Sequence, residues 1–190
     1  MKYEEIQKIV RQTLSEKRYN HSVGVAKRAE ELAKIHGEDQ NQARVIGIAH
    51  DIAKEMPKEE AIKYAEKNGI IFDEIEQKEP SLWHSKIGAH IAIKKLGFTK
   101  EMAQAILYHT TGNADMNNMD KIIYLADKTE EGRTCIDLET AKNISNKNLD
   151  EGVLYVVKFA LNYSLNKNSL IHPDTVHLIN KLITKNKNKT

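Results

Sequence analysis

Ala49-His50-Asp51-Ile52-Ala53-Lys54 sets an imidazole beside a carboxylate and follows them with an ammonium one helical turn later. The residues before it, 41–48, space their apolar members as a helix does, and the spacing predicts that the six continue that helix. His50 and Lys54 are then four apart and share a face, while Asp51 and Lys54 are three apart. Asp51 lies about 100° round from His50, close enough for both to reach one bound ion. The stretch thus offers two metal ligands and a cation able to hold an anion beside the metal. It also decides the fold class, because its helical period recurs along the whole chain.

Working outward, apolar residues recur at spacings of three and four, and no run alternates as a half-buried strand does. Three prolines and nine glycines are little punctuation for 190 residues. The pattern predicts helices over residues 2–17, 22–35, 58–67, 83–96, 100–109, 119–129 and 149–165, one from 41 that carries His50-Asp51 near its end, and a last one opened by His172-Pro173-Asp174. Gly37, Asn68-Gly69 and Gly97 read as C-caps, and Thr99 as an N-cap. Pro57 marks a first helical position. Residues 70–82 read as a connector. The expected fold is all-α, a single-domain helical bundle over residues 1–185, with a frayed Lys/Asn-rich tail at 186–190.

Bulk composition narrows the function. The chain has 40% hydrophobic and 29% charged residues, and its net charge of +2 gives no basic stripe for nucleic acid. A chain this long buries a core without staples, so a bound metal would be functional rather than structural. Cys135 is the only cysteine, which excludes a disulfide framework and reads as an inert thiol. The charged N-terminus does not read as a signal peptide, and no apolar run approaches the ~20 residues of a membrane span. The expectation is a cytoplasmic protein.

Eight histidines are present, several at the ends of predicted helices. His21 reads as the start of one helix, His50 as nearing the end of the next, and His109 as closing another. Asp127 follows the apolar run Ile122-Ile123-Tyr124-Leu125-Ala126, where a carboxylate is costly to bury without a cation. Imidazole and carboxylate without thiolate suit iron, manganese or zinc, and helical bundles build such sites from facing side chains. His21, His50, Asp51 and Asp127 form one candidate set. His84 and His109 could complete a second position, with Asp51 as a bridge. Paired ions about 3.5–4 Å apart activate water and stabilise displacement at phosphorus.

Plainer readings stand beside these. A histidine in a helix is more often a satisfied polar residue than a ligand, and a His-Asp pair recurs by chance. His36 reads as a helix-end residue. His90 and His177 read as surface or structural, Trp83 and Tyr124 as core.

Five segments carry a resemblance. They are Arg18-Tyr19-Asn20-His21-Ser22-Val23-Gly24-Val25-Ala26, Ala49-His50-Asp51-Ile52-Ala53-Lys54, Leu82-Trp83-His84-Ser85, Tyr108-His109-Thr110-Thr111-Gly112 and Ala126-Asp127-Lys128-Thr129-Glu130-Glu131-Gly132-Arg133. In this order, over about residues 3–180, they resemble the HD-domain superfamily of metal-dependent phosphohydrolases. Within it they look like the YqeK group, bacterial proteins described as symmetrical diadenosine tetraphosphate hydrolases. The resemblance implies iron held by His21, His50, Asp51 and Asp127, with His84 and His109 at or near a second iron; manganese or another divalent ion stays open. It implies a dinucleoside polyphosphate substrate cut to two nucleoside diphosphates, ADP from the adenosine form.

On that reading Asp51 and Lys54 are the catalytic pair, Lys54 neutralising phosphate oxygens or the leaving group. The Thr110-Thr111-Gly112 turn would offer hydroxyls and N–H groups to phosphate, and Arg133 would fork onto one. Asn20, His84 and Lys128 complete the expected substrate contacts, although Asn20 also reads as a helix cap. Neither nucleic acid nor membrane is an expected partner; a homodimer is. Two other functions fit the same residues: an HD phosphohydrolase acting on mononucleotides, and a catalytically silent nucleotide-binding protein.

Overall fold

The computed structural model describes residues 1–134 and 136–188, so Cys135 and the last two residues lie outside the described part. Among the described residues there are eleven α-helices, one 3-10 turn at Pro80–Leu82, and no strand. The all-α expectation holds. In chain order the helices are α1 (Tyr3–Thr13), α2 (Glu16–His36), α3 (Gln40–Ala49), α4 (Lys58–Asn68), α5 (Glu74–Lys78) and α6 (Trp83–Leu96). They continue as α7 (Lys100–Tyr108), α8 (Asn118–Thr129), α9 (Leu138–Lys147), α10 (Leu149–Asn166) and α11 (Pro173–Lys187).

Local chemistry sets most of these ends. Gly37, Gly69 and Gly97 close α2, α4 and α6 in the left-handed conformation, which spares a side chain its steric penalty. Thr99, Asn117 and Asn148 cap α7, α8 and α10 by accepting a hydrogen bond from the third residue on. Pro57 sits at the N-cap of α4, one position earlier than the spacing predicts. Helix α11 extends through Lys187, into the segment read as a tail.

Three further elements differ from the sequence reading. The first helix stops at Thr13, and Ser15 starts α2 by accepting from the Arg18 N–H. Glu55, forty residues away, accepts from both the Ser15 N–H and its hydroxyl and pins this break. His21 therefore lies inside α2 rather than at its start, and Asn20 is not its cap. Helix α9 was not predicted, because Ala141 and Ser145 are its only buried members among polar neighbours. It docks through Arg28, which donates to Ser145 Oγ and Asn146 Oδ1, and through His36, 2.8 Å from the Ser145 carbonyl oxygen. Helix α5, within the predicted connector, is too short for a periodic signal and rests on an Asp73–Glu76 capping box.

Helix α2 packs against α3 and α8, α6 against α7, and α10 against α8, α9 and α11. Leu32, Ile46, Ile106, Ile122, Ile123, Tyr124 and Leu125 are essentially inaccessible to solvent. Burying each aliphatic member contributes about 1.5–3 kcal/mol. Helices α2 and α3 approach closely: a Cβ on Gly47 would lie 2.8 Å from the Ala26 Cα and 3.2 Å from the Val25 carbonyl oxygen. Trp83 is core, stacked on Phe72 with its indole N–H donating to the Glu76 carbonyl. His90 pairs with Tyr64 Oη, and His177 is exposed. His172 caps α11 and reaches Asp73 Oδ2 at 2.8 Å, tying the start of the last helix to that of α5.

Candidate metal centre

Helix ends bring the candidate ligands together. His50 is the C-cap of α3 and Asp51 the next residue; His84 opens α6; His109 is the C-cap of α7; Asp127 lies in the last turn of α8. Three helix C-termini converge here, and their partial negative charge favours a cation. His21, in the second turn of α2, completes the set.

The residues after α3 do not continue it as an α-helix. Ile52, Lys54 and Met56 donate to carbonyls three residues back, so the segment runs as tight turns. This shifts Lys54 off the helical face expected for it and places its Nζ 3.4 Å from both ring nitrogens of His84.

Asp51 stands between two pairs of imidazoles. Its Oδ2 is 3.4 Å from His50 Nε2 and 3.9 Å from His21 Nε2. Its Oδ1 is 3.3 Å from His84 Nε2 and 3.5 Å from His109 Nε2. Asp127 Oδ1 closes the first group at 3.1 Å from His21 Nε2 and 3.8 Å from His50 Nε2. Two sets of ligand atoms, His21–His50–Asp127 and His50–Asp51–His109, each lie close enough to share an ion.

The proton on each ring follows from its outer partner. His50, His84 and His109 have Nδ1 within 2.6–2.7 Å of the carbonyl oxygens of Gly47, Ser81 and Ile106, each three residues earlier. A carbonyl only accepts, so Nδ1 carries the proton, and Nε2 of the neutral ring turns its lone pair inward. The Nε2 atoms of His21 and His50 are buried with no hydrogen-bond partner among the described residues. Those of His84 and His109 are 3.2 Å apart, with Thr110 Oγ1 at 3.2 Å from each. Lone pairs held this close repel unless a cation lies against them. The donor set, imidazole nitrogen and carboxylate oxygen, fits iron, manganese or zinc.

Electrostatics reinforce that fit. Burial works against the charge on Asp51 and Asp127, yet the histidines, and for Asp127 Lys128 and Arg133 as well, hold both carboxyls below the ordinary range. Burial keeps His84 and His109 below their usual value, so both stay neutral and able to ligate near neutrality. Burial also lowers Lys54. His50 is the exception: burial disfavours its charge, but Asp51 and Asp127 outweigh that and raise it.

A family model described as HD domain matches residues 18–132. The chain belongs to the HD-domain family. The protein named bis(5'-nucleosyl)-tetraphosphatase, symmetrical, of Bacillus subtilis is 32% identical, over 97% of this chain and 99% of its own. That of the same name from Halalkalibacterium halodurans is 32% identical over 94% and 96%. A crystal structure described as a predicted HD superfamily hydrolase involved in NAD metabolism, from Clostridium acetobutylicum, is 31% identical with a TM-score of 0.92, covering 97% of this chain and 98% of its own. HD domains are metal-dependent, and this chain carries His and Asp groups able to take a metal.

The remaining candidates surround this HD-domain centre unevenly. Lys128 Nζ donates to Asp127 Oδ2 at 2.6 Å and to the His109 carbonyl at 2.9 Å. Arg133 Nε donates to the Asp127 carbonyl at 2.7 Å, and its Nη2 meets Asp127 Oδ1. Thr110 faces the His84–His109 pair, whereas the Thr111 hydroxyl donates to the Gly112 carbonyl. Asn20 is exposed and lines a cleft of about 580 Å3 together with Arg18, His21 and Arg133.

Sequence reasoning missed two residues. Arg18 donates from Nη1 to Asp51 Oδ2 at 2.9 Å. Glu130 accepts from His21 Nδ1 at 3.2 Å. Each stands three positions from a candidate ligand, Arg18 before His21 and Glu130 after Asp127. That spacing would have flagged Arg18 had α2 been started at Ser15.

Proposed function

We propose that the chain hydrolyses dinucleoside tetraphosphates symmetrically, releasing two nucleoside diphosphates, with iron as its metal. The observation that carries this is the match, over nearly the whole length of both chains, to relatives named as symmetrical bis(5'-nucleosyl)-tetraphosphatases. The geometry supports it. Asp51 turns each of its oxygens toward a separate pair of imidazoles, as a bridge between two ions would.

His21, His50, Asp51 and Asp127 would hold one ion, and His84 and His109 would take up a second with Asp51. Iron bound there supplies Lewis acidity, which lowers the pKa of water and offsets charge developing on phosphoryl oxygens. The chain's own part is binding and orientation. Arg18, Lys54, Lys128 and Arg133 set four cations around the two carboxylates, a complement to a polyanionic tetraphosphate. Thr110 contributes a hydroxyl donor. Lys54, half-buried and next to His84, stands where it would neutralise the departing diphosphate.

Two pockets with apolar walls open beside these cations. One of about 330 Å3 opens beside Lys128 and Arg133, walled by Phe159 and Tyr163. Another of about 290 Å3 lies beside Lys54 and His84, walled by Met56 and Trp83. Each would take one nucleoside with its phosphates toward the centre, which suits a substrate with a nucleoside at either end. We read residues 1–185 as one HD domain working in the cytoplasm. Product analysis with diadenosine tetraphosphate, anaerobically and with ferrous iron, tests the function: ADP is the only product expected. ATP with AMP, or orthophosphate, would overturn it.

A further inference from the structure

We infer that Glu130 is a positioning residue for the metal centre: its carboxylate fixes the His21 ring, and Gly24 and Gly132 leave the space it occupies. The four histidines solve one problem in two ways. His50 and His109 are C-caps, where backbone carbonyls lack helical partners, and His84 follows a 3-10 turn; each of the three orients its ring on the carbonyl three residues earlier. His21 lies inside α2, where the neighbouring carbonyls are committed to the helix. It needs an acceptor from elsewhere, and Glu130 Oε1 supplies one at 3.2 Å from Nδ1. That bond turns the His21 Nε2 lone pair toward Asp127 and Asp51.

The surroundings hold the carboxylate in this pose. Glu130 is 6% exposed, and a buried carboxylate is costly unless its oxygens are paired. Its second oxygen accepts the Gly132 N–H at 2.6 Å. A Cβ on Gly24 would lie 2.6 Å from Oε2, and one on Gly132 would lie 2.8 Å from Oε1. Gly24 stands inside a helix, where glycine is less favourable than alanine. The space it leaves is filled by the Glu130 carboxylate, the movable end of a side chain. Gly24→Ala therefore displaces Glu130 while favouring helix α2, which separates positioning from mere stability.

The test uses the full-length protein stripped of metal, with Mn2+ as probe and the free ion read by electron paramagnetic resonance. Melting of each apoprotein is measured in parallel. The expected result is Mn2+ binding about 10–100-fold weaker in Glu130→Ala and Gly24→Ala, the usual range for losing an outer partner of a ligating histidine. Glu130→Gln, which keeps one acceptor oxygen, falls between these and the parent. Gly24→Ala apoprotein melts at or above the parent temperature. Should Glu130→Ala fail to fold, Gly24→Ala and Glu130→Gln carry the test. Binding within twofold of the parent in both would overturn the role and leave Glu130 as a staple of the loop after α8. The inference rests on the metal reading; a parent protein that takes up no Mn2+ overturns both.

Discussion

Gly47→Ala probes the contact that sets His21 against His50. The added methyl would stand 2.8 Å from the Ala26 Cα, 3.1 Å from its nitrogen and 3.2 Å from the Val25 carbonyl oxygen. All three are backbone atoms of α2, so no side chain can swing away. Ordinary contact begins near 3.4 Å, and reaching it requires α2 and α3 to part locally by about 0.6 Å, from 3.4 less 2.8. Overpacking of this kind costs about 1–3 kcal/mol. The better helix propensity of alanine returns less than about 1 kcal/mol of that. A net cost of about 1–2 kcal/mol, at roughly 2–4 °C per kcal/mol for a chain of this size, lowers the melting temperature by roughly 2–8 °C.

The site registers the same displacement. Gly47 also lends its carbonyl to His50 Nδ1, and His21 is carried by the helix that must move. Metal affinity should fall together with stability, read by calorimetry of the apoprotein and by Mn2+ titration. Parent-like melting and unchanged Mn2+ binding would refute the reasoning, because the clash leaves no third way to relax.

Other substitutions separate metal binding from catalysis and from the scaffold. Asp51→Ala should abolish both bound metal and turnover, since it removes the carboxylate facing all four imidazoles; parent-level hydrolysis in that variant would sink the site. Lys54→Ala should retain Mn2+ yet lose about 100-fold in kcat, the usual scale for a donor that stabilises developing charge; unchanged kinetics would remove its role. Elemental analysis of anaerobically purified protein should find at least one transition metal per chain. A scaffold prediction concerns Asp150, paired with Lys121 at 2.7 Å and Lys185 at 2.6 Å. These lysines outweigh burial and lower its pKa, so its stabilisation is present above the ordinary carboxylate value and is lost as pH falls through the folded one. Asp150→Asn should cost about 1 kcal/mol at pH 7, after allowing for the exposed Lys185, with the gap to the parent closing in acid; a gap independent of pH would contradict the assignment.

The helical class, most helix ends and the candidate ligands were legible in one dimension, because a 3.6-residue period, a capping side chain and a glycine C-cap are all local. The pairing of His50 with Asp51 was legible for the same reason. Helix α9 was not, since its docking depends on Arg28 and His36, more than a hundred residues away. The break at Ser15 was hidden likewise, because Glu55 fixes it across the fold. That shifted the predicted start of α2 and hid both the setting of His21 and the approach of Arg18. Sequence alone determined which residue types were on hand for a nitrogen and oxygen metal site. Only the tertiary structure decided that the two oxygens of Asp51 face different imidazole pairs and that Glu130 lies against His21. What each oxygen of a carboxylate faces, and the gap that two glycines leave on separate segments, are set only once the helices are packed.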